Sequence, residues 1–180
     1  MINRFLLSAA AAALTVSGLS LAGIANSHET AQINDAQIAH IAYTAGLIDV
    51  AAGKQALAKS RNKAVRAFAR EMVRDHHAVN VQALALLKKL GVTPQTNATS
   101  VSLNAQAKIE SKRLDALQGA AFDRAYVRNE IAFHQTVNGA LHDTLIPGAQ
   151  NAELKSLLET GLTLFRAHQS HAEHLARSIK

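Results

Sequence analysis

The 180-residue sequence contains no cysteine and no tryptophan, and it has only two prolines and seven aromatic residues. Without cysteine, the chain can form no disulfide, no thiolate metal site and no cysteine nucleophile. It also has no alternating run of β-branched residues bounded by turn formers, so nothing in it predicts a strand. The remaining composition is rich in alanine, with 48% hydrophobic residues, which favours closely packed helices. The sequence therefore predicts one all-α domain that is stabilised by packing alone.

The first 25 residues have the layout of a secretory signal peptide. Arg4 precedes an apolar run that starts at Phe5, and a small residue, Ala25, marks the expected cleavage site. An uncleaved membrane anchor is the alternative, although serine and glycine between positions 17 and 20 interrupt an already short apolar run. We expect an exported protein of the periplasm or cell envelope. There, a net charge of +6 favours contact with anionic envelope surfaces over binding to nucleic acid.

Apolar periodicity and turn residues divide positions 35–179 into five predicted helices, after a flexible lead-in at residues 26–34. Short links join the first helix to the second and the fourth to the fifth, so each pair should fold back as an antiparallel hairpin. A long connection that contains the third, shorter helix joins the two hairpins. This order predicts a ferritin-like antiparallel four-helix bundle with a short extra helix in the crossover. The predicted ranges are 35–59, 62–90, 102–118, 120–145 and 151–179.

Capping residues and small residues agree with these ranges. Asn34 or Asp35 can cap the first helix, and Gly91 suits the left-handed position after the second. Gly46 and Gly53 lie seven residues apart beside the apolar face of the first helix. Small residues at this spacing allow a neighbouring helix to approach closely, so we expect a tight helix–helix contact here.

A short internal similarity is consistent with two related hairpins. The segment FAREMVRDH at 68–76 resembles YVRNEIAFH at 126–134, with an aromatic residue first, arginine third and histidine last. The similarity covers nine residues only, so coincidence is an equally good interpretation.

Three predicted helices carry a histidine on the apolar face: His76, His134 and His168. On the first helix the nearest polar residue is Asp49. At about 1.5 Å of rise per residue, Asp49 and His76 should lie within about one turn of each other. The same reckoning separates His134 from His168 by about 9 Å, and it places Glu130 closer to the level of His168.

Two interpretations of these buried polar residues remain open. The favoured one is a hydrogen-bonded polar layer that fixes the register of the bundle, with Asp49 or Asp75 holding a ring in one tautomer. The alternative is a metal or dimetal site, for which carboxylate and imidazole ligands suit Fe, Mn or Zn. Ferritin-like dimetal sites use Glu-x-x-His pairs, and this sequence contains none. The candidate ligands are Asp49, His76, His134 and His168, supported by Asp75 or Glu130.

The sequence shows no arrangement typical of an enzyme. No serine lies beside a histidine at a strained turn, and glycine-rich phosphate loops are missing. Arg66, Arg70 and Arg74 recur every four residues on the second helix. A solvated face with acidic partners is the favoured interpretation of this line, and peripheral contact with lipid headgroups is the alternative.

The motif Met72-Val73-Arg74-Asp75-His76 makes a family resemblance specific. With Phe122-Asp123, Tyr126, His134 and His168, the chain resembles the exported bacterial family called domain of unknown function 4142, over about residues 35–178. Members are often labelled "putative outer membrane protein" and are placed among ferritin-like bundles. Three positions depart from the family pattern: Asp49 stands where Glu is common, Phe133 replaces an acid, and Thr163 stands where proline is usual.

The resemblance implies the fold more strongly than any activity. We expect an exported, non-enzymatic bundle protein with an envelope or stress-related role. The alternatives are a metal-binding or redox protein that uses the core His and Asp residues, and a protein that binds anionic envelope surfaces. The sequence does not indicate an oligomeric state.

Overall fold

The structure, a computed structural model, describes residues 33–179, and this range contains helices and connecting segments but no strand. The all-α prediction is confirmed. The predicted signal peptide and nearly all of the predicted lead-in lie outside the described residues. The helices are α1 (Asp35–Lys59), α2 (Lys63–Leu90), α3 (Ala98–Asp115), α4 (Gly119–Ala140), a π-helical segment (Leu141–Leu145), α5 (Ile146–Gly148) and α6 (Ala152–Ser178).

Four long helices, α1, α2, α4 and α6, pack as a bundle in which neighbouring helices run antiparallel. Each of α1 and α6 packs against both α2 and α4. Between α2 and α6, Asp75 contacts His168 while Lys89 contacts Glu153. Because the residue number rises on one helix as it falls on the other, the two helices run in opposite directions.

Helix α3 forms the crossover between the two hairpins. Near its start, Asn97 Nδ2 donates to the carbonyl oxygen of Gln37 at 3.2 Å, and near its end Lys59 Nζ donates to that of Asp115 at 2.6 Å. Helix α3 therefore lies along the outside of α1 and runs in the same direction. It returns the chain from the end of α2 to the start of α4.

The ends of α1 and α2 agree with the sequence analysis, whereas α3 lies earlier than predicted. Asn34 caps α1 in a reciprocal pair with Gln37, and Gly91 ends α2 with φ of 65°. Helix α3 begins at Ala98 and not at Ser102 because Asn97 caps it. The Asn97 side chain accepts from the Ser100 backbone N–H at 3.0 Å, and Ser100 Oγ accepts from the Asn97 N–H at 3.1 Å.

The hairpin between α4 and α6 also differs from the prediction, in which the fourth helix ended at residue 145 and the fifth began at residue 151. The helix continues through the π-helical segment and α5, so that the link comprises residues 149–151. His134 thus lies 14 residues before the end of α5 and His168 lies 16 residues after the start of α6. Two residues correspond to about 3 Å. The predicted axial separation of about 9 Å between His134 and His168 is therefore wrong. The two histidines lie at nearly the same level along the bundle.

Apolar side chains form two clusters, one at each end of the bundle. One cluster, near the α1–α2 link, includes Phe68, Met72 and Tyr126, and the other, near the α4–α6 link, includes Ile41 and Leu158. Buried polar residues occupy the level between them. These residues come from all four bundle helices: Asp49, His76, Glu130, His134 and His168.

Replacing Gly53 with alanine should lower the free energy of unfolding by about 1–3 kcal/mol. An added Cβ would lie 2.8 Å from Val73 Cγ2 and 3.0 Å from the carbonyl oxygen of Ala69, a backbone atom that cannot rotate away. Urea unfolding measures the change. Gly139→Ala in α4 is the matched control, because nothing lies within 4 Å of its added Cβ. That variant should gain about 0.5–1 kcal/mol from helix propensity. Equal changes in the two variants would contradict a close α1–α2 contact at Gly53.

Candidate metal centre

Three histidine rings from three helices meet in the middle of the bundle. His76 on α2, His134 on α4 and His168 on α6 are each no more than 2% exposed. Their ring centroids are 5.5 Å apart for His76 and His134, 5.2 Å for His76 and His168, and 5.6 Å for His134 and His168. Each ring therefore contacts the other two, and together they form a triangle.

The internal sequence similarity matches this arrangement. Its first residues, Phe68 and Tyr126, have ring centroids 6.2 Å apart, and its last residues, His76 and His134, are also in contact. Equivalent positions of the two segments thus face each other across the bundle.

Hydrogen bonds fix the tautomers of two of the three rings. His134 Nδ1–H donates to the carbonyl oxygen of Glu130 at 2.9 Å, because a carbonyl can only accept. His168 Nε2–H donates to Asp75 Oδ2 at 3.1 Å. Asp75 is in turn held by two hydrogen bonds from Arg74, of 2.6 and 2.9 Å. The second ring nitrogens, Nε2 of His134 and Nδ1 of His168, have no partner among residues 33–179.

His76 lies against an aromatic ring instead of a hydrogen-bond partner. Its ring stacks on Phe165 with a centroid distance of 4.5 Å and an interplanar angle of 13°. Nδ1 is 3.5 Å from Asp49 Oδ2, and neither ring nitrogen makes a hydrogen bond within the described part of the chain. One nitrogen from each of the three histidines lies within 4.8 Å of the other two.

Two buried carboxyl groups adjoin the histidines. Asp49 on α1 and Glu130 on α4 form a second set with His134, again with one ligand atom from each residue within 4.8 Å of the others. Burial raises the pKa of Asp49 from 3.8 to about 8, against the lowering effect of a hydrogen bond with Glu130. Burial and the nearby Asp49 also hold the pKa of Glu130 well above its ordinary value. Burial therefore favours the protonated, neutral form of both carboxyl groups.

The pKa values of the three imidazoles are lowered, which favours the neutral form of these rings as well. Burial, with repulsion from the other two rings, lowers the pKa of His76 from 6.5 to about 2. Burial likewise lowers the pKa of His134 to about 4 and lowers that of His168. These pKa shifts disfavour an ion pair between Asp49 and His76 and between Glu130 and His134, since an ion pair would need both partners charged.

The six candidate residues from the sequence lie in one connected group. Asp49 and His76 are in contact, as their axial levels predicted, and Asp75 supports His168. Glu130 lies beside Asp49. The sequence analysis assigned no site role to Phe165, since a phenylalanine on an apolar stripe gives no signal that distinguishes it from other core residues.

Two of the three arginines that recur every four residues on the second helix bond to other groups of the chain. Arg66 donates to the carbonyl oxygens of Leu57 and Ser60 at the end of α1, and Arg74 is paired with Asp75.

None of the helices within residues 33–179 has the length and apolar character needed to cross a membrane.

Comparisons with known proteins concern the fold and the family. The crystal structure of a "putative secreted protein DUF305" from Streptomyces coelicolor is similar to this chain, with a TM-score of 0.56 and 14% sequence identity, and the match covers 79% of this chain and 87% of that one. At this identity the similarity shows a shared fold only. No curated protein matches the sequence. Residues 21–175 match the family described as "Domain of unknown function (DUF4142)". The chain therefore belongs to the DUF4142 family.

Proposed function

We propose that the protein binds one transition-metal ion between His76, His134 and His168. One observation carries the proposal: three imidazoles from three helices each place a ring nitrogen within 4.8 Å of the other two, and each ring has a nitrogen without a hydrogen bond among residues 33–179. Neutral imidazole is the form that binds a metal, so no proton on these rings competes with the ion at neutral pH.

The same observation favours metal binding over a purely structural polar layer. A structural layer stabilises a core when its members hydrogen-bond to one another. Within residues 33–179 the rings of His76, His134 and His168 make two hydrogen bonds, from His168 to Asp75 and from His134 to its own helix, and neither bond joins two of the three rings. A buried polar atom without a partner costs about 1–3 kcal/mol. A bound cation would satisfy one such atom on each of the three rings.

The ligand set favours zinc or ferrous iron. Three imidazoles with one open position are a known zinc arrangement, with Zn–N bonds of about 2.0–2.1 Å. Donor atoms around such a tetrahedral ion lie about 3.3–3.4 Å apart, so an inward shift on the order of 1 Å per ring would complete the site. Asp49 or Glu130 can supply a carboxylate to iron or manganese, but either would first have to lose its proton.

We further propose that the protein is an exported, ferritin-like protein of the periplasm or cell envelope. Its role there is to bind the metal ion, without enzymatic turnover. Two antiparallel hairpins joined by a single long crossover support the ferritin-like assignment. The signal-peptide layout of residues 1–25 supports export. The absence of a Glu-x-x-His pair in the sequence distinguishes this site from the ferritin-like dimetal centres.

Tag-free protein should bind one Zn²⁺ per chain in equilibrium dialysis, and His76→Ala should abolish this binding. The matched control is His77→Ala, which removes the exposed neighbouring histidine on the same helix and should bind as the wild type does. His134→Gln, which keeps a polar side chain of similar size, repeats the test if His76→Ala unfolds. Retention of one Zn²⁺ per chain in folded His76→Ala protein, or no binding of Zn²⁺ or Fe²⁺ by the wild type, would refute the proposal.

Asp75→Ala should weaken Zn²⁺ binding about 10- to 100-fold, as is typical when the carboxylate behind a histidine ligand is removed. Without Asp75, nothing holds the proton of His168 on Nε2 and directs Nδ1 into the cluster. Asp75→Asn should restore much of the affinity, because an amide oxygen can accept the same hydrogen bond. Competition titration with a chelating dye measures the affinity. Asp143→Ala, at an exposed carboxylate, is the control, and an unchanged affinity in Asp75→Ala would contradict this positioning role.

In metal-free protein, Asp49 should contribute less to the free energy of unfolding as the pH rises from about 4 to about 8. The folded state keeps the Asp49 proton up to a pKa of about 8, whereas the unfolded state loses it near 3.8. Folding therefore takes up a proton in this window, and alkali opposes it. Urea unfolding with EDTA at several pH values should show Asp49→Asn gaining stability relative to wild type as pH rises. Asp115→Asn, at an exposed carboxyl, should show no such trend, and parallel pH profiles for wild type and Asp49→Asn would disprove the buried proton.

A further inference from the structure

A second candidate site lies beyond the histidines, in the half of the bundle near the α4–α6 link. It is a cavity of about 130 Å³ whose wall is mostly apolar, formed by side chains that include Ile41, Ala83, Leu141, Leu158 and Phe165. An engineered cavity of about 150 Å³ with a similar lining stays free of water and binds benzene or xenon. A cavity of this size and lining is therefore suited to a small apolar molecule.

One buried polar group faces this cavity. The Asn80 side chain lines it, the residue is only 5% exposed, and Nδ2 has no hydrogen-bond partner among residues 33–179. The position of Asn80 depends on Gly46 of α1, because a Cβ on Gly46 would lie 2.3 Å from Asn80 Oδ1. The cavity wall thus includes one buried amide whose Nδ2 has no hydrogen-bond partner within the described residues.

The wall of the cavity includes an irregular piece of helix. Leu141 and Leu145, the first and last residues of the π-helical segment, both line it. Such segments are uncommon and are frequently found at functional sites. The π-helical segment thus forms part of the cavity wall, on the α4 side.

We infer that this cavity binds a small, largely apolar molecule of about the size of benzene that carries one hydrogen-bond acceptor, held by the Asn80 amide. Small cyclic ketones and ethers belong to this chemical class. Phe165 forms part of the cavity wall and also stacks on His76. It separates the ligand from the histidines, so this binding does not depend on a bound metal and goes beyond the proposed function.

Cyclohexanone and cyclohexane are suitable probes, since they have similar size and differ in one acceptor. Each is titrated into full-length, EDTA-treated protein with isotope-labelled leucine methyl groups. Both probes should shift the methyl signals of Leu141 and Leu158 and should leave those of Leu114, in the opposite cluster, unchanged. No shift with either probe, or equal shifts at Leu114, would overturn the inference.

Cavity-filling variants test the location of the site, and a variant of Asn80 tests its polar contact. Ala83→Leu fills the cavity and should abolish binding of both probes, whereas Ala85→Leu, at an exposed position of the same helix, should leave binding intact. If Ala83→Leu lowers the helix content, Ala140→Leu fills the cavity from α4. Asn80→Ala should lower the ratio of cyclohexanone affinity to cyclohexane affinity by about 2- to 10-fold, the value of one hydrogen bond. Binding that survives the filled cavity, or an unchanged ratio in Asn80→Ala, would show that the site or its polar contact is wrongly assigned.

Discussion

The constraint on which this bundle depends is the burial of five titratable side chains at one level of an apolar core. Charged groups at this depth would be very costly, and each residue shifts towards its neutral form. Burial raises the pKa values of Asp49 and Glu130 and lowers those of His76, His134 and His168. The neutral forms of the acids and of the bases are therefore both favoured. Neutral imidazoles keep a lone pair on one ring nitrogen, which is the form that binds a metal ion.

The rest of the fold brings these groups to one level. Glycines on α1 allow α2 to approach closely, which places Asp49 beside His76. The π-helical segment and α5 extend the helix that carries His134, so that His134 and His168 lie at nearly the same level. On the outer side, Asp75 and Arg74 hold His168 from the surface. Two hydrophobic clusters lie on either side of the layer along the bundle.

Phe165 connects the two internal features of the molecule. It is in stacking contact with His76 and it forms part of the wall of the apolar cavity. A molecule in the cavity would therefore lie one aromatic ring away from the proposed metal site. Membership of the DUF4142 family supplies the fold for both features, but the family description assigns no activity. The buried side chains of this chain, in the histidine cluster and around the Asn80 cavity, are what indicates a function.

The sequence by itself determined the helices and which side chains face inward, because both follow from local periodicity and capping. It predicted α1 to the residue and placed His76, His134 and His168 on buried faces. It could not determine the axial level of His134 against His168, since the predicted fourth helix ended at residue 145, whereas α5 continues the helix to Gly148. Nor could it determine tautomers, shifted pKa values or the cavity at Asn80. Those depend on distances between residues far apart in the chain, and only packing of the four helices against one another sets such distances.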